Sequence, residues 1–207
     1  MVDAFSLRTA HFFSDTLASQ ARLRYRVFVQ QRGLEHPAYD GMEYDEFDTP
    51  GAMYFTWRDP QGIVRGMIRL LPTTLPYMLQ TYWPHLVADK QLPRSHDVWE
   101  VTRLCVDRDY NQPIRSQIMP QIMCAVAEFC EINAVKSVIG VTRPHLLTHF
   151  LREGVQWLGP TDIIEGEEEA AFEVPLEHMR PVHHCRKFGL THSFLNTAGE
   201  NQQSRAA

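Results

Sequence analysis

Residues 40–48 read Asp-Gly-Met-Glu-Tyr-Asp-Glu-Phe-Asp, and from position 35 to 48 the chain carries Glu35, Asp40, Glu43, Asp45, Glu46 and Asp48 with no lysine or arginine. Just upstream, Arg22, Arg24, Arg26 and Arg32 stand with no acid among them. A basic stretch followed by an acidic one suits a ligand that carries both signs of charge. Crowded carboxylates repel one another unless a cation sits among them. An extended backbone would put Glu43, Asp45 and Phe47 on one side and Tyr44, Glu46 and Asp48 on the other. A solvated acidic loop is the alternative reading of the same residues.

Three further charges interrupt apolar stretches: Arg69 in Met-Ile-Arg-Leu-Leu, then Glu100 and Arg103 in Trp-Glu-Val-Thr-Arg-Leu. An ionised group in a buried strand must be paired or must face a cleft, and a structural ion-pair network would also satisfy it. Glu100 and Arg103 are an odd number of residues apart, so a regular strand sends them to opposite faces. A β-bulge between them returns both to one face and prises the neighbouring strand away. The resulting gap suits an extended thioester arm that bonds to exposed strand edges.

These residues need elements to position them. Ser14 is suited to cap a helix in which Leu17, Ala21, Tyr25 and Phe28 recur at helical spacing, ending near Gly33. Residues 36–50 then form a long loop. Residues 53–58 and 63–71 read as strands of a hairpin turning at Asp59-Pro60-Gln61-Gly62. A helical turn is expected near 82–87 and a strand over 97–107. Pro113 opens a long helix with Ile114, Ile118, Ile122, Val126 and Phe129 on one stripe. Residues 136–142 suit a buried strand, 144–153 a helix, and 155–159 and 170–175 short strands around a solvated acidic loop at 165–169. This order implies a mixed sheet covered by helices.

The totals exclude other classes. At 207 residues, 44% apolar and 22% charged, the chain fits one ordinary globular domain. A net charge of −5 argues against a nucleic-acid partner. No apolar run is long enough to span a bilayer, and the N-terminus lacks a basic and an apolar signal region, so a cytoplasmic protein is expected. Cys105, Cys124, Cys130 and Cys185 form no Cys-x-x-Cys pair, and the adjacent His183, His184 and Cys185 lack a second ligand cluster, so no metal is expected. Gly-x-Gly-x-x-Gly and Gly-x-x-x-x-Gly-Lys are absent, which removes most support for nucleotide chemistry.

Taken together, residues 24–159 resemble the acyl-homoserine-lactone synthase (autoinducer synthase) family. The resemblance rests on Arg24-x-x-x-Phe28, on the 40–48 stretch, on Arg69, on Pro76-Tyr-Met78 and Trp83-Pro84, and on Glu100-x-x-Arg103. It implies a single acetyltransferase (GNAT)-like α/β domain over residues 1–176, with 177–207 an extension that is disordered from about 196. It implies that S-adenosylmethionine, a substrate rather than a cofactor, is N-acylated by an acyl thioester on acyl carrier protein or coenzyme A. Lactonisation then releases methylthioadenosine.

Arg24, Phe28, Asp45, Asp48, Arg69 and Arg103 match the family's positions for S-adenosylmethionine. Glu100, Arg103 and Arg69 are the expected catalytic set, with Glu100 the base that takes the amine's proton. Met123, Thr142, Leu146 and Phe150 are candidates for the acyl-chain floor, and Thr142 falls where relatives carry a threonine that goes with 3-oxo acyl groups. Leu34 and Leu104 stand where the family has a tryptophan and an aromatic residue. A basic docking patch for an acidic carrier is expected around Arg143, Arg152, Arg180, Arg186 and Lys187. No nucleic acid, membrane, metal or further cofactor is expected, and the chain is expected to be a monomer. A generic acyl-CoA N-acyltransferase is the nearest rival, but 107–117 contains no glycine for a pyrophosphate loop. A non-enzymatic S-adenosylmethionine sensor is the other, which intact Arg69, Glu100 and Arg103 disfavour.

Overall fold

The computed structural model describes residues 1–88, 91–147, 154–178, 185–186, 189–190 and 192–197. Period-2 alternation builds the centre of its sheet. In strand β4 (Met53–Arg58), fully buried Tyr54 faces one core cluster and fully buried Phe55 the other, as a strand between two layers requires. Strand β1 (Val2–Phe5) lies on one side of β4, and β5 (Val64–Pro72) pairs with it on the other through the expected hairpin. Asp59 makes that turn: its Oδ1 accepts from the backbone N–H of Gln61 and Ile63 (3.0 and 2.9 Å), and Gly62 takes φ +83°.

Helix α1 (Thr16–Arg24) covers one face. It starts later than the Ser14 cap implied: Ser14 has φ +54°, Asp15 is the cap residue, and the Thr16 hydroxyl donates to the Phe13 carbonyl. The chain then winds as a π-helix over Tyr25–Gln31 before stopping at Gly33, φ +71°. A change of winding inside one helical pattern leaves no composition signal, and such turns gather at functional sites.

The expected loop at 36–50 contains a small hairpin, β2 (Ala38–Tyr39) with β3 (Met42–Glu43). Asp40 and Gly41 form its two-residue turn, with φ +50° and +69°. That Asp-Gly pair was a hairpin signal. Helix α2 (Met78–Tyr82) and a 3₁₀ turn (Pro84–Leu86) follow β5, then strand β6 (Val98–Val106).

Helix α3 (Gln112–Ile132) packs on the opposite face, with Pro113 in its first turn and Ile118, Ile122, Val126 and Phe129 buried. Ile114 is largely exposed, because the first turn overhangs the sheet contact. Strand β7 (Ser137–Thr142) and helix α4 (Pro144–Leu147) come next; 148–153 of the expected helix lie outside the described residues.

Strands β8 (Gln156–Trp157), β9 (Asp162–Ile164) and β10 (Glu167–Pro175) complete the far half. The acidic run at 165–169 is therefore no simple loop. Glu165 and Gly166 turn with φ +52° and +80°, and Glu167–Glu169 pair with β9. A run of glutamates leaves a paired strand without the apolar alternation that would mark it. Strand β11 (Leu195–Thr197) returns to run parallel to β1, and Asn196 Nδ2 donates to Asp3 Oδ1 at 2.6 Å. Disorder from about 196 is thus corrected at Asn196 and Thr197. Among the described residues the mixed sheet has nine strands in the order β11-β1-β4-β5-β6-β7-β10-β8, with β9 beside β10. No described helix is long and apolar enough to cross a membrane.

Candidate active site

The expected bulge is present. Arg69 pairs with Thr102 and Met67 with Cys105, so β6 spends one extra residue between them. Arg103 takes it up with φ +53°, a left-handed conformation at which a bulge turns a side chain around. The Arg103 guanidinium thereby reaches the face that holds Arg69. Pairing of β6 with β7 stops at Val101–Gly140, although β6 continues to Val106 and β7 to Thr142. The two strands part there.

On the α1 face, Arg24, Arg69 and Arg103 meet Glu43, Asp45 and Asp48. Arg24 is fully buried: its Nε donates to Glu43 Oε2, and its two terminal nitrogens donate to the oxygens of Asp48 at 2.8 and 2.9 Å. Arg69 is fully buried as well. Nη1 and Nη2 donate to Asp45 at 2.6 and 2.8 Å, Nη1 also to Asp48 at 2.8 Å, and Nε to Thr102 Oγ1 at 3.0 Å. Arg103 Nη2 lies 3.0 Å from Glu43 Oε1 and 2.7 Å from Asp45 Oδ2. Its buried Nε has no hydrogen-bond partner among the described residues.

The guanidiniums explain the titration. Desolvation opposes the charge on Asp48, but bonds from Arg24 and the nearby Arg69 hold its carboxyl well below the usual range. For Glu43, burial is likewise outweighed by His36, Arg24 and Arg103, which bring it down to about 2.

Sequence alternation separated Asp45 from Asp48, and the structure corrects this. Residues 45–48 turn, with Asp48 N–H donating to the Asp45 carbonyl (3.1 Å) and Asp45 N–H to Asp48 Oδ2 (2.8 Å), so both carboxylates face Arg69. Of the four upstream arginines only Arg24 joins the cluster. Arg22 pairs with Asp15, Arg26 with Asp107 and Arg32 with Glu169. Phe28 is buried, with the guanidiniums of Arg103 and Arg32 at 5.5 and 5.8 Å from its ring centre. Its aromatic face thus already engages cations.

Glu100 lies on the same face, paired with Leu71 two residues from the Arg69–Thr102 pair. Its Oε2 accepts from Met78 N–H at 2.8 Å and its Oε1 from Leu79 N–H at 2.6 Å, which caps the start of α2. Those bonds and Arg69 favour the carboxylate. Burial opposes it more strongly and pushes the group up to about 7, the range of a general base working near neutrality. Met78 links the parts, because its Sδ also lies 3.5 Å from Arg69 Nη2.

The proposed acyl-floor residues separate. Met123 is partly buried against the α3-side core together with Trp99, Val101, Leu147 and Trp157. Thr142 sits at the end of β7, half-buried and opposite Ala170. Leu146 is 55% exposed, and Leu147 packs inward in its place, since one helical residue rotates the side chain by about 100°. Phe150 lies outside the described residues. Of the basic patch, Arg143 pairs with Glu167 at 3.2 Å, and Arg152, Arg180 and Lys187 lie outside the described residues.

The sequence reading assigned no site role to several contributors. Glu43 is fully buried and ties Arg24 to Arg103; its signal was the Asp-Gly turn that fixes its register. Tyr54, whose hydroxyl donates to Asp48 Oδ1 at 2.7 Å, and Thr102 carried none, because both look like ordinary strand residues.

Known proteins resemble this chain over most of its length. The family described as autoinducer synthase matches residues 7–179. The isovaleryl-homoserine lactone synthase of Bradyrhizobium diazoefficiens is 32% identical over 157 residues, 74% of this chain and 69% of that one. An acyl-homoserine-lactone synthase of Vibrio anguillarum is 39% identical over 93 residues, 45% of this chain and about half (48%) of that protein. The solved structure of the CoA-dependent acyl-homoserine lactone synthase BjaI, with SAM and isopentyl-CoA, superposes with TM-score 0.86 at 29% identity, covering 100% of this chain and 97% of that one. A more distant likeness, TM-score 0.55 at 16% identity to an acyl-CoA N-acyltransferase of Pseudomonas aeruginosa, shows the acetyltransferase-like fold alone. The chain belongs to the autoinducer synthase family.

Proposed function

We propose that the buried cluster binds S-adenosylmethionine beside an acyl thioester entering the β6–β7 gap, making this chain an acyl-homoserine-lactone synthase that produces a quorum-sensing signal. The observation that carries this reading is the meeting of Arg24, Arg69 and Arg103 with Glu43, Asp45 and Asp48 next to Glu100, whose carboxyl is raised to about 7. S-adenosylmethionine brings an ammonium and a sulfonium for the acids and a carboxylate for a guanidinium, and Arg103 with its unpartnered Nε is the natural receiver.

Glu100, directly or through water, takes a proton from the ammonium. The freed amine attacks the thioester carbonyl, an N–C bond forms, and the C–S bond breaks to release the thiol. The substrate carboxylate then attacks its own γ-carbon, and cleavage of the carbon–sulfonium bond releases methylthioadenosine. The thioester is carried by acyl carrier protein or coenzyme A, and S-adenosylmethionine is consumed as a substrate. Incubation with S-adenosylmethionine and a panel of acyl thioesters on both carriers, read by mass spectrometry, tests the reading. Acyl-homoserine lactone together with methylthioadenosine is expected, and a linear N-acyl product alone would show an acyltransferase without ring closure.

Thr142, at the mouth of the gap, is proposed to bond a 3-oxo group. Thr142→Val is then expected to lower kcat/KM several-fold for 3-oxo donors and to spare unsubstituted ones, as loss of a hydrogen bond worth about 1 kcal/mol requires. An equal loss for both donors would assign Thr142 to packing.

Leu34 packs half-buried against the core that contains Phe28. Tyr39 is 81% exposed, Phe47 is buried edge-on to Tyr82, and the Tyr44 hydroxyl donates to Met42 Sδ, so none of these three loop aromatics takes the place of the family's indole. Leu34→Trp is expected to lower KM for S-adenosylmethionine, through a cation–π gain of about 0.5–2 kcal/mol, and to leave KM for the acyl donor unchanged. An unchanged or raised KM for S-adenosylmethionine would place residue 34 away from the sulfonium.

A further inference from the structure

His36 stands in the acidic loop and belongs to none of the motifs above. Its side chain is 11% exposed, with Nδ1 3.3 Å from Glu43 Oε1 and Nε2 3.0 Å from Glu165 Oε1 in the β9–β10 turn. Both ring nitrogens therefore face carboxylates. A neutral imidazole has one N–H and one lone pair, so it would set a lone pair against an anion; only the imidazolium suits both neighbours.

The other groups around the ring act on that charge in both directions. From the π-helical segment come the Phe28 ring, 5.9 Å away, and Arg32, which is itself directed to Glu169. From β6 comes Arg103, whose charge opposes protonation. The Glu43 carboxylate, 3.3 Å from Nδ1 but outside hydrogen-bond geometry, and the bond to Glu165 outweigh burial and Arg103, and the histidine is raised above its ordinary value.

Glu43 Oε1 is thus shared between Arg103 and His36. The cluster of Arg24, Arg69 and Arg103 with Glu43, Asp45 and Asp48 is charge-balanced, so an arriving carboxylate must compete with an acid already in place. We infer that His36 is a positioning residue: as an imidazolium between Glu43 and Glu165 it draws on the charge of Glu43, loosens that acid's hold on Arg103, and frees the guanidinium for the substrate carboxylate. The inference rests on the S-adenosylmethionine reading above. The substrate carboxylate arriving on Arg103 adds negative charge near the imidazolium and favours its protonation, while the ammonium and sulfonium on the acids oppose it; the carboxylate is the nearer charge, because its guanidinium shares Glu43 with His36. The sign follows: affinity is highest below the histidine's midpoint and falls as pH rises through it.

The test is calorimetric titration of wild type, His36→Gln and Glu165→Gln with S-adenosylmethionine at about pH 6 and about pH 8.5, which bracket a raised histidine midpoint. The substrate's own amine titrates alike in all three proteins, so the difference between them is the readout. Wild-type affinity is expected to fall several-fold more than that of His36→Gln, up to about tenfold for each unit by which the substrate raises the midpoint. Glu165→Gln, in an exposed turn, is expected to lower the His36 midpoint seen by NMR in the free protein. KM for S-adenosylmethionine is expected to follow the calorimetry, with kcat unmoved. Equal pH dependence in wild type and His36→Gln overturns the inference and leaves the site reading standing. Absence of S-adenosylmethionine binding to wild type at either pH overturns the site reading, and the inference with it.

Discussion

Glu100→Gln is expected to lower kcat for acyl transfer by about a hundredfold or more, the lower range of what a positioned base contributes. The same carboxylate caps α2 through Met78 and Leu79 N–H, so the substitution tests two roles at once. Glutamine offers one acceptor where glutamate has two, and its amide NH₂ would face a backbone donor. A stability loss of about 1–3 kcal/mol from that unsatisfied contact is expected beside the catalytic loss.

The pH–rate profile separates the two roles. With Glu100 raised to about 7, the base is active only when deprotonated, so wild-type kcat is expected to climb with pH through that value and then level off. In Glu100→Gln the residual rate is expected to lack this limb. A folded variant that keeps the limb, or turns over at near wild-type rate, would reduce Glu100 to a helix cap.

Asp48→Asn is expected to be the most damaging single change to the fold within the site. Asp48 accepts from both terminal nitrogens of Arg24, from Arg69 and from the Tyr54 hydroxyl. Neutralising it leaves two fully buried guanidiniums short of a counter-charge, and breaking a buried pair from one side costs about 3–5 kcal/mol. Urea unfolding monitored by tryptophan fluorescence measures this.

The acid limb gives a second readout. Asp48 and Glu43 are depressed in the folded protein, so the stability they supply is full above their ordinary carboxylate values. It is lost as pH falls from about 4 through their folded values. The wild-type stability curve is expected to drop steeply there, and the variant's more gently because one linked proton is gone. A variant as stable as wild type at neutral pH would mean that Arg24 and Arg69 find other partners.

Local order left clear marks in the chain. The β4–β5 hairpin follows from Asp59 and Gly62, the start of α3 from Pro113, and the end of the first helical stretch from Gly33. Each is a residue whose own backbone or short-range bonding preference names one conformation. The bulge at Arg103 was legible for a different reason: two charges at odd spacing in an apolar strand cannot both be satisfied unless the alternation breaks.

Order written in polar residues was not legible, as Glu167–Glu169 in β10 and Asn196 in β11 show. Such segments join the sheet through backbone bonds that any side chain permits.

The sequence by itself determined the parties to the chemistry. Buried charge is costly, so Arg24, Asp45, Asp48, Arg69, Glu100 and Arg103 had to find one another or a ligand, whatever the fold. Which acid meets which arginine was decided only in three dimensions. Residues 45–48 turn instead of extending, the β2–β3 turn swings Glu43 inward, and the bulge reverses Arg103. These movements bring together groups from residues 24 to 103, and the same packing adds Glu165 from beyond them, beside His36. Pairing across such separations depends on sheet register and on the angle of a turn, which no residue specifies alone. The raised Glu100 and the raised His36 between Glu43 and Glu165 come from that packing, because desolvation and charge proximity are properties of the folded neighbourhood.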